Sequence, residues 1–325
     1  MKSSESANDR PRRRTRRRLG VAEVIIAAMC SRAAIYYAHL SIVQREYFVN
    51  RRGDIISAEV LASALRDDGS TTSTVRLGSS SGLEVDLRLL LPAAATNEQV
   101  PLMLLIGGHR TGKAAIDLIG DSKGIAFAAI DYPYDGPRSI SGVWQAFKSI
   151  PAVQSALLDT PQALMLVIDW LEGASWFDLS RTELAGISLG VPFAAVAGAL
   201  DERFSRVWLI HGASDNNDWL MHASRDRISN RHVRKFAVDS LLKITHGDSF
   251  NTAMWIEETS PRPVVVIAAS DDERVPRQAM RYFVDASERG TVRLEWTHGE
   301  HVDPARQDLL AELVDRVAAE MSSSN

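Results

Sequence analysis

Residues 186–190 read Gly-Ile-Ser-Leu-Gly, a G-x-S-x-G pattern. The Ser188 hydroxyl could act as a nucleophile if a strand delivered the chain and a helix carried it away, because the sharp turn between them lifts the side chain clear of both. The flanking residues fit: Glu183–Ile187 reads as a buried strand and Gly190–Leu200 as a helix. Glycines at 186 and 190 suit a place where two backbones approach too closely for a Cβ. The same five residues also describe a plain glycine-rich turn with Ser188 as a helix N-cap, so the partners must decide.

A serine hydroxyl is a poor nucleophile until a base takes its proton. A neutral imidazole, with a pKa of about 6.5, suits that task near neutral pH. A carboxylate then fixes the tautomer and stabilises the imidazolium. Two acids, Asp271 and Asp272, follow the apolar run Pro263–Ala269, and two histidines, His298 and His301, follow the run Thr291–Trp296. Asp303 and Pro304 read as N-cap and first residue of a terminal helix, which puts His301 on the loop just before it. The other histidines (His39, His211, His222, His232, His246) read as structural or lid residues. Acyl chemistry also needs two backbone N–H groups to meet the developing oxyanion. Leu189, one residue past the nucleophile, supplies one. The loop Gly107-Gly108-His109-Arg110-Thr111-Gly112 supplies the other, assigned to His109 with Arg110 as its neighbour.

That loop carries a rival reading. Gly107 to Lys113 spells G-x-x-x-x-G-K, most of a phosphate-binding loop, between a strand and a helix. Position 114 is Ala, so the hydroxyl that usually holds magnesium is missing. A nucleotide-binding protein would also leave Ser188, Asp272 and His301 unexplained.

The elements that must position these groups alternate along the chain. Ser73–Leu77 and Leu83–Leu91 flank a Gly/Ser turn and read as a β-hairpin. Pro101–Ile106, Gly124–Ile130, Glu183–Ile187, Val207–Ile210, Pro263–Ala269 and Thr291–Trp296 read as strands. Helices are expected after Gly112, over Thr160–Glu172 and Gly190–Leu200, after Pro276 and over Pro304–Glu320. Strand–helix alternation predicts an α/β fold with a mostly parallel sheet covered on both faces and an antiparallel hairpin at its front edge. Residues 213–260 break the rhythm and are a candidate helical lid; a long structural excursion is the other reading.

Composition sets the outer bounds. The chain has 325 residues, a hydrophobic fraction of 45% and a net charge of −4, which suits one large globular domain and implies no general attraction to nucleic acid. Cys30 is the single cysteine, which excludes an internal disulfide and a zinc site built on several thiolates. Residues 10–18 hold seven arginines, and a mostly apolar stretch follows to Val43. Residues 1–53 are therefore read as a leader: an export signal, a membrane anchor making contact through residues 10–43, or a basic tail with an amphipathic helix. Export or anchoring is preferred, and a cytoplasmic protein with a plain tail is the alternative. The catalytic domain is expected over 54–325.

Over residues 72–320 the chain resembles the α/β-hydrolase superfamily, in particular its dienelactone-hydrolase-like and acetyl-esterase-like members. The matching pieces are the front hairpin, Gly107-Gly108-His109, Asp131-Tyr132-Pro133, the Ser188 turn, Asp272-Glu273-Arg274-Val275-Pro276 and Gly299-Glu300-His301. The resemblance implies a catalytic order of Ser, acid, His. Asp-x-x-Val-Pro favours Asp272 over Asp271, and Gly-x-His favours His301 over His298. It also implies a carboxylesterase for small to medium esters, with an acyl-serine intermediate and neither cofactor nor metal. A prolyl-oligopeptidase-type peptidase or amidase would use the same triad, and a non-catalytic binding protein would use the same fold. The Gly-Gly-His-Arg loop departs from the His-Gly-Gly-Gly of many lipases, which puts long acyl chains in doubt.

Overall fold

The computed structural model describes residues 45–108, 111–137, 139 and 143–323. The basic run at 10–18, Cys30, the apolar stretch to Val43, His109 and Arg110 lie outside the described residues.

Nine strands form one sheet: β1 (Ile55–Leu65), β2 (Thr71–Ser79), β3 (Glu84–Leu91), β4 (Val100–Ile106), β5 (Ala126–Ile130), β6 (Phe177–Ile187), β7 (Arg206–Ile210), β8 (Val264–Ala269) and β9 (Arg293–Thr297). Their order across the sheet is β1-β2-β3-β5-β4-β6-β7-β8-β9. The pairs from β1 to β5 through β3 are antiparallel; those from β5 through β4 to β9 are parallel. The mixed sheet with an antiparallel front edge is thus the observed architecture. Its parallel strands read as continuous apolar runs because both faces are covered.

The period of two divides the core. On β4, Leu102, Leu104 and Ile106 enter one apolar cluster, while Met103 and Leu105 enter another on the opposite face. The first face is covered by α1 (Arg45–Arg52), α2 (Val143–Leu171), α3 (Val191–Leu200), α6 (Thr252–Thr259) and α7 (Arg281–Glu288), through Phe48, Leu164, Val196, Ile256 and Phe283. The second is covered by the C-terminal helix α8 (Gln307–Ser323) and a 3₁₀ turn, Gly112–Leu118. Between β7 and β8 lie α4 (Asn216–Ala223), α5 (Arg231–Ile244) and α6, which fill the excursion over 213–260.

Several elements differ from the sequence expectation. Helix α2 starts at Val143, well before Thr160, because Pro151 and Pro161, which normally break helices, both sit inside it. The element after Gly112 is a 3₁₀ turn of seven residues. The terminal helix starts at Gln307, and Asp303 instead closes the turn before it, its carboxylate accepting from Ala305 N–H at 2.9 Å. Strand β1 was not anticipated. Its Ala-rich sequence lacks alternation, and Ile56, Val60 and Leu65 remain exposed; it forms because the edge of β2 offers backbone groups to pair.

Helix α1, which precedes Asp54, packs onto the first face of the sheet. Phe48 on α1 is fully buried, meeting Phe250 and Trp255 edge-on at 5.6 and 5.8 Å. Arg51 grips Asp159 of α2 with two hydrogen bonds, at 2.5 and 2.8 Å. Among the described residues no helix is long and apolar enough to cross a membrane. Truncating a buried aromatic removes both its transfer energy and its packing, so Phe48→Ala should lower stability by about 3–5 kcal/mol. Urea unfolding of the full chain measures this; an unchanged midpoint would mean that α1 is dispensable.

Candidate active site

Ser188 stands at the C-terminal end of β6 with φ +55°, in the left-handed region that non-glycine residues rarely occupy. The turn is held in that shape by contact on both sides. A Cβ on Gly190 would fall 2.0 Å from the Ile106 carbonyl oxygen, and one on Gly186 would fall 2.6 Å from the Ala194 methyl. Both positions therefore demand glycine for steric reasons, as the sequence pattern implied.

Three side chains converge there. His301 Nε2 lies 2.8 Å from Ser188 Oγ, and His301 Nδ1 lies 2.7 Å from Asp272 Oδ2. The second carboxylate oxygen of Asp272 accepts from Arg274 N–H and Val275 N–H, each at 2.8 Å. Burial alone would raise the Asp272 pKa, but the hydrogen bond and charge of His301 and the two amides outweigh it and hold the carboxyl below its usual range. An ionised carboxylate can only accept, so the His301 proton sits on Nδ1 and Nε2 faces the serine hydroxyl as acceptor. The side chains of His301 and Asp272 are only 2% and 6% exposed. Their two loops are tied together: Asp271 N–H donates to Gly299 O at 2.9 Å and Ser270 N–H to Thr297 O at 3.0 Å. The competing residues stand apart. Asp271 is exposed and accepts from Ser270 Oγ, and His298 is exposed.

His211, read from the sequence as a structural or lid residue, lies beside His301. It sits at the end of β7, also with positive φ, and is only 1% exposed. Its Nδ1 accepts from Val302 N–H at 2.9 Å, so Nε2 carries the proton toward Thr297 Oγ1, also at 2.9 Å. Its ring centroid is 5.8 Å from that of His301. Burial first, and the neighbouring His301 second, push its pKa down to about 4, so it is neutral at pH 7. His211, Asp272 and His301 bring ligand-type atoms within 4.8 Å of one another. Here all four ring nitrogens are engaged in the hydrogen bonds just given, an arrangement of proton carriers rather than of free ligands. Its only sequence signal was its position at a strand end.

On the opposite side, Leu189 and the glycine loop border Ser188. Gly108 O accepts from Thr111 N–H, Gly112 N–H and Thr111 Oγ1, which folds the loop into a tight turn. Tyr132, half-buried and edge-on to Phe193, donates its hydroxyl to Gly107 O at 2.6 Å. The phosphate-loop reading fails on Lys113. Its ammonium pairs with Asp131 at 2.7 Å and Asp86 at 3.2 Å. Burial works against that charge, but Asp131 and Asp86 more than compensate and raise its pKa.

A cavity of about 770 Å³ opens beside Ser188, within the range of small-molecule sites. Gly108, Ser188, Leu189, Trp219, Arg274 and Pro304 are among the residues that line it. Met103, Leu105, Phe127, Ala185 and Ile210 form its sheet wall, and Leu310, Leu313, Val314 and Val317 of α8 face them.

No protein-family model matches the sequence, and no curated protein matches it. Solved structures do match in shape. An acetyl xylan esterase from Paenibacillus sp. R4 aligns with a TM-score of 0.58 at 14% identity, covering 87% of this chain and 93% of that one. An S-formylglutathione hydrolase from Agrobacterium tumefaciens aligns at 0.55 and 13%, covering 83% and 99%. A glucuronoyl esterase from Solibacter usitatus aligns at 0.53 and 16%, covering 86% and 92%.

The His211 shift has a sign that can be worked out. The unfolded chain protonates this group near pH 6.5 and the folded chain only near 4. Unfolded molecules therefore bind the proton first, and stability falls as pH drops from 6.5 to 4, by about 3 kcal/mol for this group. Asn tolerates positive φ, so His211→Asn should lose that much less on acidification than the parent, as urea unfolding at pH 7 and pH 4 would measure. Equal losses would refute the assignment of His211 as a neutral buried imidazole. With the sheet order, the positive-φ serine turn at the end of β6 and these structural neighbours together, the chain has the α/β-hydrolase fold.

Proposed function

We propose that this chain is a serine carboxylesterase. The observation that carries the reading is the unbroken relay from Ser188 Oγ through His301 to Asp272, at 2.8 and 2.7 Å, at the rim of an apolar cavity. The names of the three structural neighbours, two esterases and an S-formylglutathione hydrolase, support the same reaction class.

In this reading His301 Nε2 takes the Ser188 proton as Oγ attacks the ester carbonyl carbon. The negative charge that moves to the carbonyl oxygen is met by two backbone N–H groups, assigned to Leu189 and His109. The tetrahedral intermediate collapses, the C–O bond to the alcohol breaks, and the imidazolium returns its proton to the leaving oxygen. Water then enters, His301 removes its proton, and attack on the acyl-serine releases the carboxylic acid and restores Ser188. Asp272 keeps the proton on Nδ1 and stabilises the imidazolium in both halves. The helical excursion over 213–260 acts as a lid, since its Trp219 lines the cavity.

Roles follow the geometry, so variants should separate sharply. Ser188→Ala should lower kcat on a nitrophenyl ester by about 10⁶-fold and abolish labelling by a fluorophosphonate. Asp272→Asn should cost about 10⁴-fold in kcat, while Asp271→Asn and His298→Ala stay within a few fold. Fluorophosphonate labelling that persists in Ser188→Ala would sink the proposal.

A further inference from the structure

The second face of the sheet is thinly covered. Parallel strands are usually joined by a crossover that includes an α-helix, but among the described residues between β4 and β5 the one helical element is the 3₁₀ turn Gly112–Leu118. Helix α8 is left as the main cover. It starts at the strands' C-terminal ends and runs back toward their N-terminal ends, where Glu320 pairs with Arg293 at 3.0 Å and Arg206 at 3.6 Å, the first residues of β9 and β7. The gap beside this helix is the cavity whose rim holds Ser188.

Two independent rulers give its depth. Along β4 it is lined from Gly107 at the top to Met103, four residues, or about 13 Å at roughly 3.3 Å each. Along α8 it is lined from Leu310 to Val317, seven residues, or about 10 Å at roughly 1.5 Å each. The walls over that depth are Met103, Leu105 and Phe127 on one side and Leu310, Leu313 and Val317 on the other, with no charged or hydrogen-bonding side chain among them. Such walls reject a sugar or a peptide, whose polar groups would lose their hydrogen bonds. They suit a flexible hydrocarbon that is narrow, unbranched and about as long as the slot.

We infer that this cavity is an acyl-chain slot and that the substrates it favours are esters of linear fatty acids of about eight to ten carbons, since a zigzag of roughly 1.5 Å C–C bonds advances about 1.3 Å per carbon. The inference rests on the esterase reading and names the acyl half of its substrate. The acyl carbon bound to Ser188 lies at the slot's rim, and the chain descends between the sheet and α8. The alcohol leaves past Trp219 and Arg274. Val317 at the lower end sets the length limit.

The test combines turnover and binding on the full chain. kcat/KM for nitrophenyl esters from two to sixteen carbons should rise by up to about fourfold per methylene, peak at eight to ten carbons and then fall. Val317→Phe should move the peak down by several carbons, and Val317→Ala should move it up. Calorimetry with sodium decanoate should show binding that sodium acetate does not, weakened in Val317→Phe. A profile highest at acetate, with decanoate unbound, overturns the slot and leaves the esterase reading standing. Decanoate binding weakened by Val317→Phe, in a protein that hydrolyses no ester and resists fluorophosphonate, supports the slot and overturns the esterase reading. If Val317→Phe does not fold, the parent's profile and its decanoate binding still decide: a peak at eight to ten carbons with decanoate bound supports the slot, and the opposite pair of results overturns it.

Discussion

The close approach of Gly190 to the Ile106 carbonyl governs this molecule. Strand β6 must lie beside β4 for the sheet to close, and the chain must then turn into α3 without leaving the core. Only the absence of a Cβ at 190 and 186 leaves room for that turn. Its consequence falls on the residue between them. Ser188 is held at positive φ, a strain of order 1–3 kcal/mol that persists only where the surroundings over-determine it. Here Val191 buries itself against Gly212, where a Cβ would come within 2.3 Å of it, so helix and following strand lock the turn from behind.

A second constraint concerns buried charge. An ionised Asp272 beside an imidazole that must become cationic is tolerable in a dry site only if every lone pair is used. Asp272 meets this with one oxygen on His301 and the other on two backbone amides. His301 in turn needs its loop fixed, and His211 does this from below by taking the Val302 N–H. A protonated His211 would place a second cation next to the imidazolium. Its deep burial holds it neutral, so the brace adds no opposing charge.

The two faces of the sheet serve different ends. The first carries most of the helices and is closely packed, with Phe48, Phe193 and Phe250 forming a continuous aromatic layer with Trp255. That density fixes α3 and hence the serine turn. Among the described residues the second has one full helix and a 3₁₀ turn, and the apolar space left beside them reaches Ser188. Rigidity on one face and room on the other follow from the same alternation of side chains along the central strands.

Most of this architecture was legible in the residues. Continuous apolar runs identify buried parallel strands because burial on both faces removes the need for polar positions, and β4, β5, β8 and, after its first residue, β7 are of that kind. The serine turn, its acid loop and its base loop were readable because each joins a strong strand to a glycine or proline signal. Three things were not. Strand β1 is an edge whose pairing depends on β2, so its own sequence carries no alternation. Helix α2 tolerates two prolines because tertiary packing overrides local propensity. His211 is an imidazole whose role comes from what a distant segment, 297–302, brings around it. The sequence by itself determined the order of strands and helices and the groups available for chemistry, since these follow from local spacing. Only the tertiary structure decided which aspartate and which histidine meet Ser188, and how much space lies beneath it. Hydrogen bonds and cavities belong to pairs of surfaces that are far apart in the chain.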